Sequence, residues 1–196
     1  AVGAERSKRR WERDAVLLEG ELARDPTHAR TAFYLALTYL WLERWAEAEK
    51  ALERRVALGG WSEEVFYAKL SYAQAAERSG APWRVSFARY LDAHAFAPHR
   101  AEPLHAIALH YDGAGERALA LLFARRAVDL PIPPNDVLFV DAEIYRWKAH
   151  DLVASNAYWL GEHELGERSA RAAVAARPGD ARLAKNLEFY LARKQR

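Results

Sequence analysis

Four of the seven histidines, His94, His99, His105 and His110, crowd into one stretch of the chain. Imidazoles gathered this way could hold a transition metal. Their spacings of five, six and five residues argue against it. At about 100° per residue of helix, His105 and His110 point roughly 140° apart, so they do not share the helical face that a metal site requires. Capping and surface positions suit them better. Glu63 and Glu64 are adjacent carboxylates with the chemistry for acid–base work, but they follow Trp61 and Ser62 in "GGWSEE". That pattern marks a helix start, with Ser62 as N-cap and the acids complementing the dipole. There is no phosphate-cradling Gly-rich loop, no nucleophile elbow, no His-Glu-x-x-His motif and no Asp-x-Asp pair. With no cysteine, thiolate nucleophiles, thiolate metal sites and disulfides are excluded. The sequence predicts no catalytic residue, no metal and no cofactor.

Composition narrows the function classes further. The 29 basic and 27 acidic residues leave a net charge of +2, without the one-sided field of a nucleic-acid binder. Basic residues gather at the ends, in "ERSKRRWER" (Glu5 to Arg13) and "ARKQR" (Ala192 to Arg196). Both read as solvated helix termini rather than phosphate-binding arms. No apolar run is long enough to span a bilayer and no signal peptide is present, which fits a cytoplasmic protein. The chain has no methionine and begins with Ala1, as expected of a piece of a longer protein or a processed product.

The elements that must position any site are helical. Hydrophobic residues make up 51% of the chain, and much of that is alanine, which favours closely packed helices over a sheet. A large-then-small pair recurs at Leu35-Ala36, Tyr72-Ala73, Ile107-Ala108 and Val153-Ala154. A second small residue follows at Ala48, Ser86, Ala120 and Gly166, and glycines that end helices stand between the two at Gly80, Gly115 and Gly161. Antiparallel helices approach closely only where side chains are small, and a proline stops the second helix before the next unit. This spacing resembles the tetratricopeptide pattern, with departures at Arg55 and Ser86. It predicts an all-α fold, a right-handed superhelix of antiparallel helix pairs forming one domain over 1–196. A leading helix occupies 1–26, repeats 27–60, 61–98, 99–134 and 135–178, and a capping helix 179–196. Asp180 caps that last helix, whose Leu183, Leu187, Leu191, Phe189 and Tyr190 cover the last repeat. Trp45 and Trp83 take equivalent packing positions at the start of second helices.

The second small positions are 38, 34 and 46 residues apart, so the last interval carries an insertion. It falls in "DLPIPPNDVLFVDAEIYRWKAHDL", Asp129 to Leu152. Pro131, Pro133 and Pro134 predict a stiff loop over 131–140, followed by a helix from about Asp141 to Leu160.

A repeat array of this kind presents a concave face lined by the first helix of each pair. The register places Arg30, Phe33 and Leu37 there from the first unit, and Tyr67, Leu70 and Gln74 from the second. Glu102, His105 and Leu109 follow from the third, and Lys148, Asp151, Ser155 and Tyr158 from the fourth. In the fourth unit, polar and aromatic groups of mixed sign converge, with Lys148 and Asp151 aimed into the groove. A groove of that type suits a peptide or a partner's helix, with self-association through the terminal helix as an alternative.

Beyond the repeat, "RRVALGGWSEEVFYA" (Arg54 to Ala68), "FAPHRAEPLHAIALHY" (Phe96 to Tyr111) and "LLFARRAVDLPIPPNDVLFVDAEIYRWKAHDLVASNAYWLG" (Leu121 to Gly161) resemble the helical region after the catalytic domain of bacterial and viral family 2 glycosyltransferases. The resemblance implies an accessory repeat domain that binds the glycosylation acceptor or another protein, or that self-associates. The catalytic α/β domain of that family, with its metal-binding Asp motif, is absent from this chain. No catalytic residue of the family carries over. A free-standing adaptor of shared repeat ancestry is the alternative.

Overall fold

The structure is a computed structural model describing residues 2–193, with side chains described from Glu5 onward. Ala1 and the last residues of the basic tail, 194–196, lie outside the described residues, and so do the parts of the sequence expectations that fall on them. Among the described residues ten α-helices follow one another: α1 (Val2–Arg24), α2 (Ala29–Trp41), α3 (Trp45–Leu58), α4 (Ser62–Arg78), α5 (Trp83–Phe96), α6 (Glu102–Gly113), α7 (Arg117–Val128), α8 (Ala149–Trp159), α9 (His163–Ala176) and α10 (Ala181–Arg193). No strand occurs among the described residues. The chain divides into two compact units between Phe96 and Ala97. Within each of the two, helices adjacent in sequence pack against one another, the tetratricopeptide-like architecture that the spacing predicts.

Within each unit the small residues stand where helices meet. Ala36, Ala73, Ala108 and Ala154 are buried, and so are Ala48, Ser86 and Ala120. Gly166 is the extreme case. A Cβ there would lie 2.0 Å from the Tyr190 hydroxyl oxygen, so only glycine lets the α10 tyrosine cross α9. Trp83 packs on Phe87 and Tyr90, with ring centroids 6.0 and 6.1 Å away, as expected of a packing tryptophan.

Turns repeat as faithfully as faces. Gly80, Gly115 and Gly161 each lie seven residues after the first small position and all adopt left-handed backbone, φ +80°, +78° and +78°. The first unit places Glu43 at that position, at φ +56°, and closes the same pair of carbonyls: Glu43 N–H donates to Leu40 O and Arg44 N–H to Tyr39 O. A side chain stands there against the steric preference that glycine satisfies freely.

Arg55, the departure from the small-residue pattern, is 1% exposed. It donates to Glu64 Oε2 at 3.0 Å and to the Gly59 carbonyl at 2.6 Å. The "GGWSEE" expectation is corrected accordingly. Gly59 and Gly60, both at positive φ, turn the chain so that Trp61 holds the cap position and Ser62 is the first helical residue, with no side-chain cap. Glu64 points inward to its arginine instead of standing at the surface for the helix dipole.

The 131–140 segment has no regular structure, and helix resumes at Ala142. The first turn of that helix, Ile144–Lys148, is π-helical, with Ala149 N–H reaching back to Ile144 O. Such widened turns let a helix change phase between two packing environments. Here it separates Tyr145, which turns toward α6, from the α8 residues that face α9 and α10. Asp180 caps α10 as the sequence predicts, accepting from the Arg182 and Leu183 amides at 3.1 and 3.2 Å.

Candidate functional site

The predicted groove residues fall into three separate environments. In the first unit, Arg30 pairs with Glu64 at 2.5 Å, and its guanidinium lies 5.4 Å from the Tyr34 ring centre and 5.9 Å from that of Trp61. Tyr67 meets Phe33 edge-on, and burial raises its pKa. Gln74 is exposed. Phe33, Leu37 and Leu70, projected to the same face, are core residues.

Glu102, His105 and Lys148 come together in the second unit, but in a closed polar network. Glu102 is 5% exposed. Its carboxylate takes a bidentate grip from Arg100, Nη2 at 2.7 Å and Nε at 3.0 Å. The Tyr145 hydroxyl donates to it at 2.9 Å and accepts from the Ala101 amide at 3.0 Å. Arg100, itself fully buried, also donates to Asp136 at 3.1 Å and to the Phe139 carbonyl at 3.2 Å. That second pair of bonds ties the 131–140 loop to the start of α6 and holds Phe139 at φ +49°. Burial is the largest influence on the Arg100 cation and works against it, yet the hydrogen bonds and charges of Glu102 and Asp136 together leave its pKa raised. Lys148 closes on Asp141 at 2.7 Å. His105, expected at the surface, sits among Lys148, Asp141 and Glu102. Desolvation first, and Lys148 second, bring its pKa down to about 4, so it is neutral at physiological pH.

Glu102 and Lys148 thus spend their charges on partners within the chain rather than in a groove, Glu102 in the interior and Lys148 in a partly exposed pair. So does Asp151, which accepts from Arg182 at 2.8 Å and from the Asn186 amide at 3.2 Å, both on α10. The partners of Glu102 and Lys148 lie close by in sequence but off the projected helical face, and that of Asp151 lies 31 residues along the chain.

Ser155 and Tyr158 do line an open site. With Trp159 from the end of α8 and Asn186, Phe189 and Tyr190 from α10, they enclose a cleft of about 320 Å3. Tyr190 builds its floor: the hydroxyl donates to the Ala154 carbonyl, pinning α10 across α8, and burial raises its pKa to about 12. Tyr158 is the hub of the aromatic wall. Its ring meets Tyr190 at 5.5 Å and 85°, Trp159 at 5.7 Å and 87°, and Phe189 at 6.0 Å and 56°. These steep angles suit aromatic edges and faces, and leave walls rather than one flat platform. Trp159 is 70% exposed and Phe189 51%. Phe189 was expected to cover the last repeat; it opens onto the cleft instead, while Leu183 and Tyr190 do the covering. The sequence signal for Trp159 and Phe189 is adjacency to the residues that build the site: Trp159 follows Tyr158, and Phe189 precedes Tyr190.

No lining residue carries a formal charge, so what the cleft offers is shape, apolar surface and neutral hydrogen-bonding groups. Asn186 spends one amide hydrogen on Asp151, and its carbonyl oxygen remains an acceptor. Among the described residues no three His, Asp or Glu side chains are placed to hold a metal ion, and no helix is long and apolar enough to cross a membrane.

No protein-family model matches the chain, and no curated protein matches its sequence. Solved structures do. The C-terminal part of a tetratricopeptide-repeat protein from Cytophaga hutchinsonii superposes with a TM-score of 0.66 at 13% identity over 89% of this chain; the match spans 64% of that protein. MamA matches with a TM-score of 0.66 at 17% identity, covering 91% of this chain and 95% of its own. YrrB, described as a tetratricopeptide protein with an unusual peptide-binding site, matches with a TM-score of 0.61 at 15% identity, covering 93% and 86%. At these identities the likeness is one of fold.

Proposed function

We propose that the chain is a non-catalytic tetratricopeptide-like module that binds a peptide or protein segment in the cleft between α8 and α10. The observation that carries this reading is an open aromatic wall, Tyr158, Trp159 and Phe189, with no charged residue in its lining and the Arg182–Asp151 pair at its edge. Exposed aromatic side chains set in a concave site are the usual anchors of protein recognition. The peptide-binding site described for YrrB is support from a protein of the same fold. The reading also takes 1–196 as one repeat array with the boundaries drawn from the sequence. Selecting peptides from a random display library on the intact chain, with counter-selection on a Trp159→Ala, Phe189→Ala variant, tests it. The reading expects a family of sequences that lose binding on the variant; selected peptides that bind both proteins equally would overturn it.

We further infer that the module serves a family 2-like glycosyltransferase as a C-terminal accessory domain, engaging the acceptor or a partner protein in the cytoplasm. The support is the resemblance carried by Arg54–Ala68, Phe96–Tyr111 and Leu121–Gly161. A free-standing adaptor would have the same fold, and an α10-mediated homo-oligomer is the remaining alternative. The gene discriminates between the first two: an α/β domain with an Asp-x-Asp motif encoded upstream of Ala1 supports the accessory domain, and its absence supports the adaptor. Light scattering that shows a monomer at high concentration removes the oligomer.

A further inference from the structure

The wall of the α8–α10 cleft says more than that a peptide binds. It combines three aromatic rings set at steep angles with a complete lack of formal charge. The cation at the edge of the cleft, Arg182, is already paired with Asp151, which also holds the lining residue Asn186. An ionic partner would have to break that pair or leave its own charge unmatched as water is excluded. The volume, about 320 Å3, is at the small end for a binding pocket, which runs to roughly 300–1,000 Å3. It holds one or two side chains rather than a folded surface.

On these grounds, and resting on the peptide-binding reading above, we propose that the occupant is an uncharged, proline-rich segment in the extended polyproline conformation. The chemistry matches at three points. Pyrrolidine rings are compact and apolar, and they pack between aromatic walls as proline-rich ligands do in other aromatic-lined grooves. A proline backbone has no N–H to satisfy, so its carbonyls need only donors from the rim. Those donors are the Trp159 indole N–H, the Ser155 and Tyr158 hydroxyls and the second Asn186 amide hydrogen. The segment is also pre-ordered, so a small cleft suffices because little conformational entropy is lost on docking.

The test uses the full chain and three probes in calorimetric titrations: an acetylated, amidated peptide of repeated Pro-Pro-Ala, the same peptide with Asp in place of Ala and a free C-terminus, and a Gly-Ser-Ala peptide of equal length. The Pro-Pro-Ala peptide is expected to bind, and Trp159→Ala to weaken it about tenfold or more, as loss of an anchoring aromatic does. The Asp-bearing and Gly-Ser-Ala peptides are expected to bind at least about tenfold more weakly. Leu122→Ala, at an exposed α7 position outside the cleft, leaves all three titrations unchanged, and circular dichroism confirms that both variants are folded. Trp159-dependent binding of the acidic peptide in preference to the neutral one would overturn the proline assignment and leave peptide binding standing. If peptides from the display selection also ignore Trp159, the assignment and the peptide-binding reading fall together.

Discussion

Two regions of the second unit look alike in sequence and are opposite in use. The Arg100–Glu102 network and the Tyr158–Phe189 cleft each gather residues projected onto the same helical face. In the first, every projected charge finds a partner within the chain, and the groups become a clasp between α6, the 131–140 loop and the helix that follows it. In the second, the charges cancel at the edge and leave rings facing water. Converging polar groups therefore mark where this protein holds itself together. Exposed aromatics beside neutralised charge mark where it can hold something else.

The clasp should be the more costly to break. Glu102→Ala leaves the Arg100 guanidinium buried without its bidentate partner, and loss of one member of a buried pair destabilises by about 3–5 kcal/mol. Chemical denaturation measures this, and hydrogen exchange should show faster exchange of the Asp141 and Glu143 amides, whose acceptors organise the loop exit. A loss below about 1 kcal/mol would mean that the network contributes nothing beyond a surface pair.

Acid should act at the same region. The ordinary imidazole pKa is 6.5, and burial brings that of His105 down to about 4. As pH falls between these values, the unfolded chain takes up a proton that the folded chain refuses. Stability from this group is complete above about pH 6.5 and declines toward pH 4, by on the order of 3 kcal/mol. His105→Gln should flatten that part of the stability–pH curve, measured by denaturant midpoints between pH 7 and pH 4.

Glycines separate the two kinds of packing on a finer scale. Gly166→Ala drives a methyl group into the Tyr190 ring, 2.0 Å from its hydroxyl, and should destabilise by about 1–3 kcal/mol. Gly20→Ala, where nothing lies within 4 Å, should stabilise by about 0.5–1 kcal/mol. Thermal melts of the two variants should move in opposite directions. Smaller still, Glu43→Gly relieves a left-handed side chain at the position where the other three turns carry glycine, for a gain of a few tenths of a kcal/mol.

The fold was legible because close helix packing needs small residues at fixed intervals, and left-handed turns need glycine. Ala36, Ala108, Gly115 and Gly161 state those needs directly. Even the departures carried information: Arg55 occupies a small position because Glu64, nine residues on, neutralises it in the core. The site was less legible. Ser155 and Tyr158 follow from the helical register alone. Glu102, Lys148 and Asp151 have the chemistry of groove residues, and only their distance from Arg100, Asp141 and Arg182 in space decides that they are spent. Trp159 and Phe189 belong to different helices, and their meeting depends on Tyr190 crossing at Gly166, a contact between residues 24 positions apart.

The contrast between clasp and cleft is tested most directly by measuring the affinity of one cleft-selected peptide for two variants side by side, Trp159→Ala and Lys148→Ala. The account predicts a loss of about tenfold or more for Trp159→Ala and less than about twofold for Lys148→Ala. Strong dependence on Lys148 with indifference to Trp159 would contradict it, and would place recognition in the polar network instead.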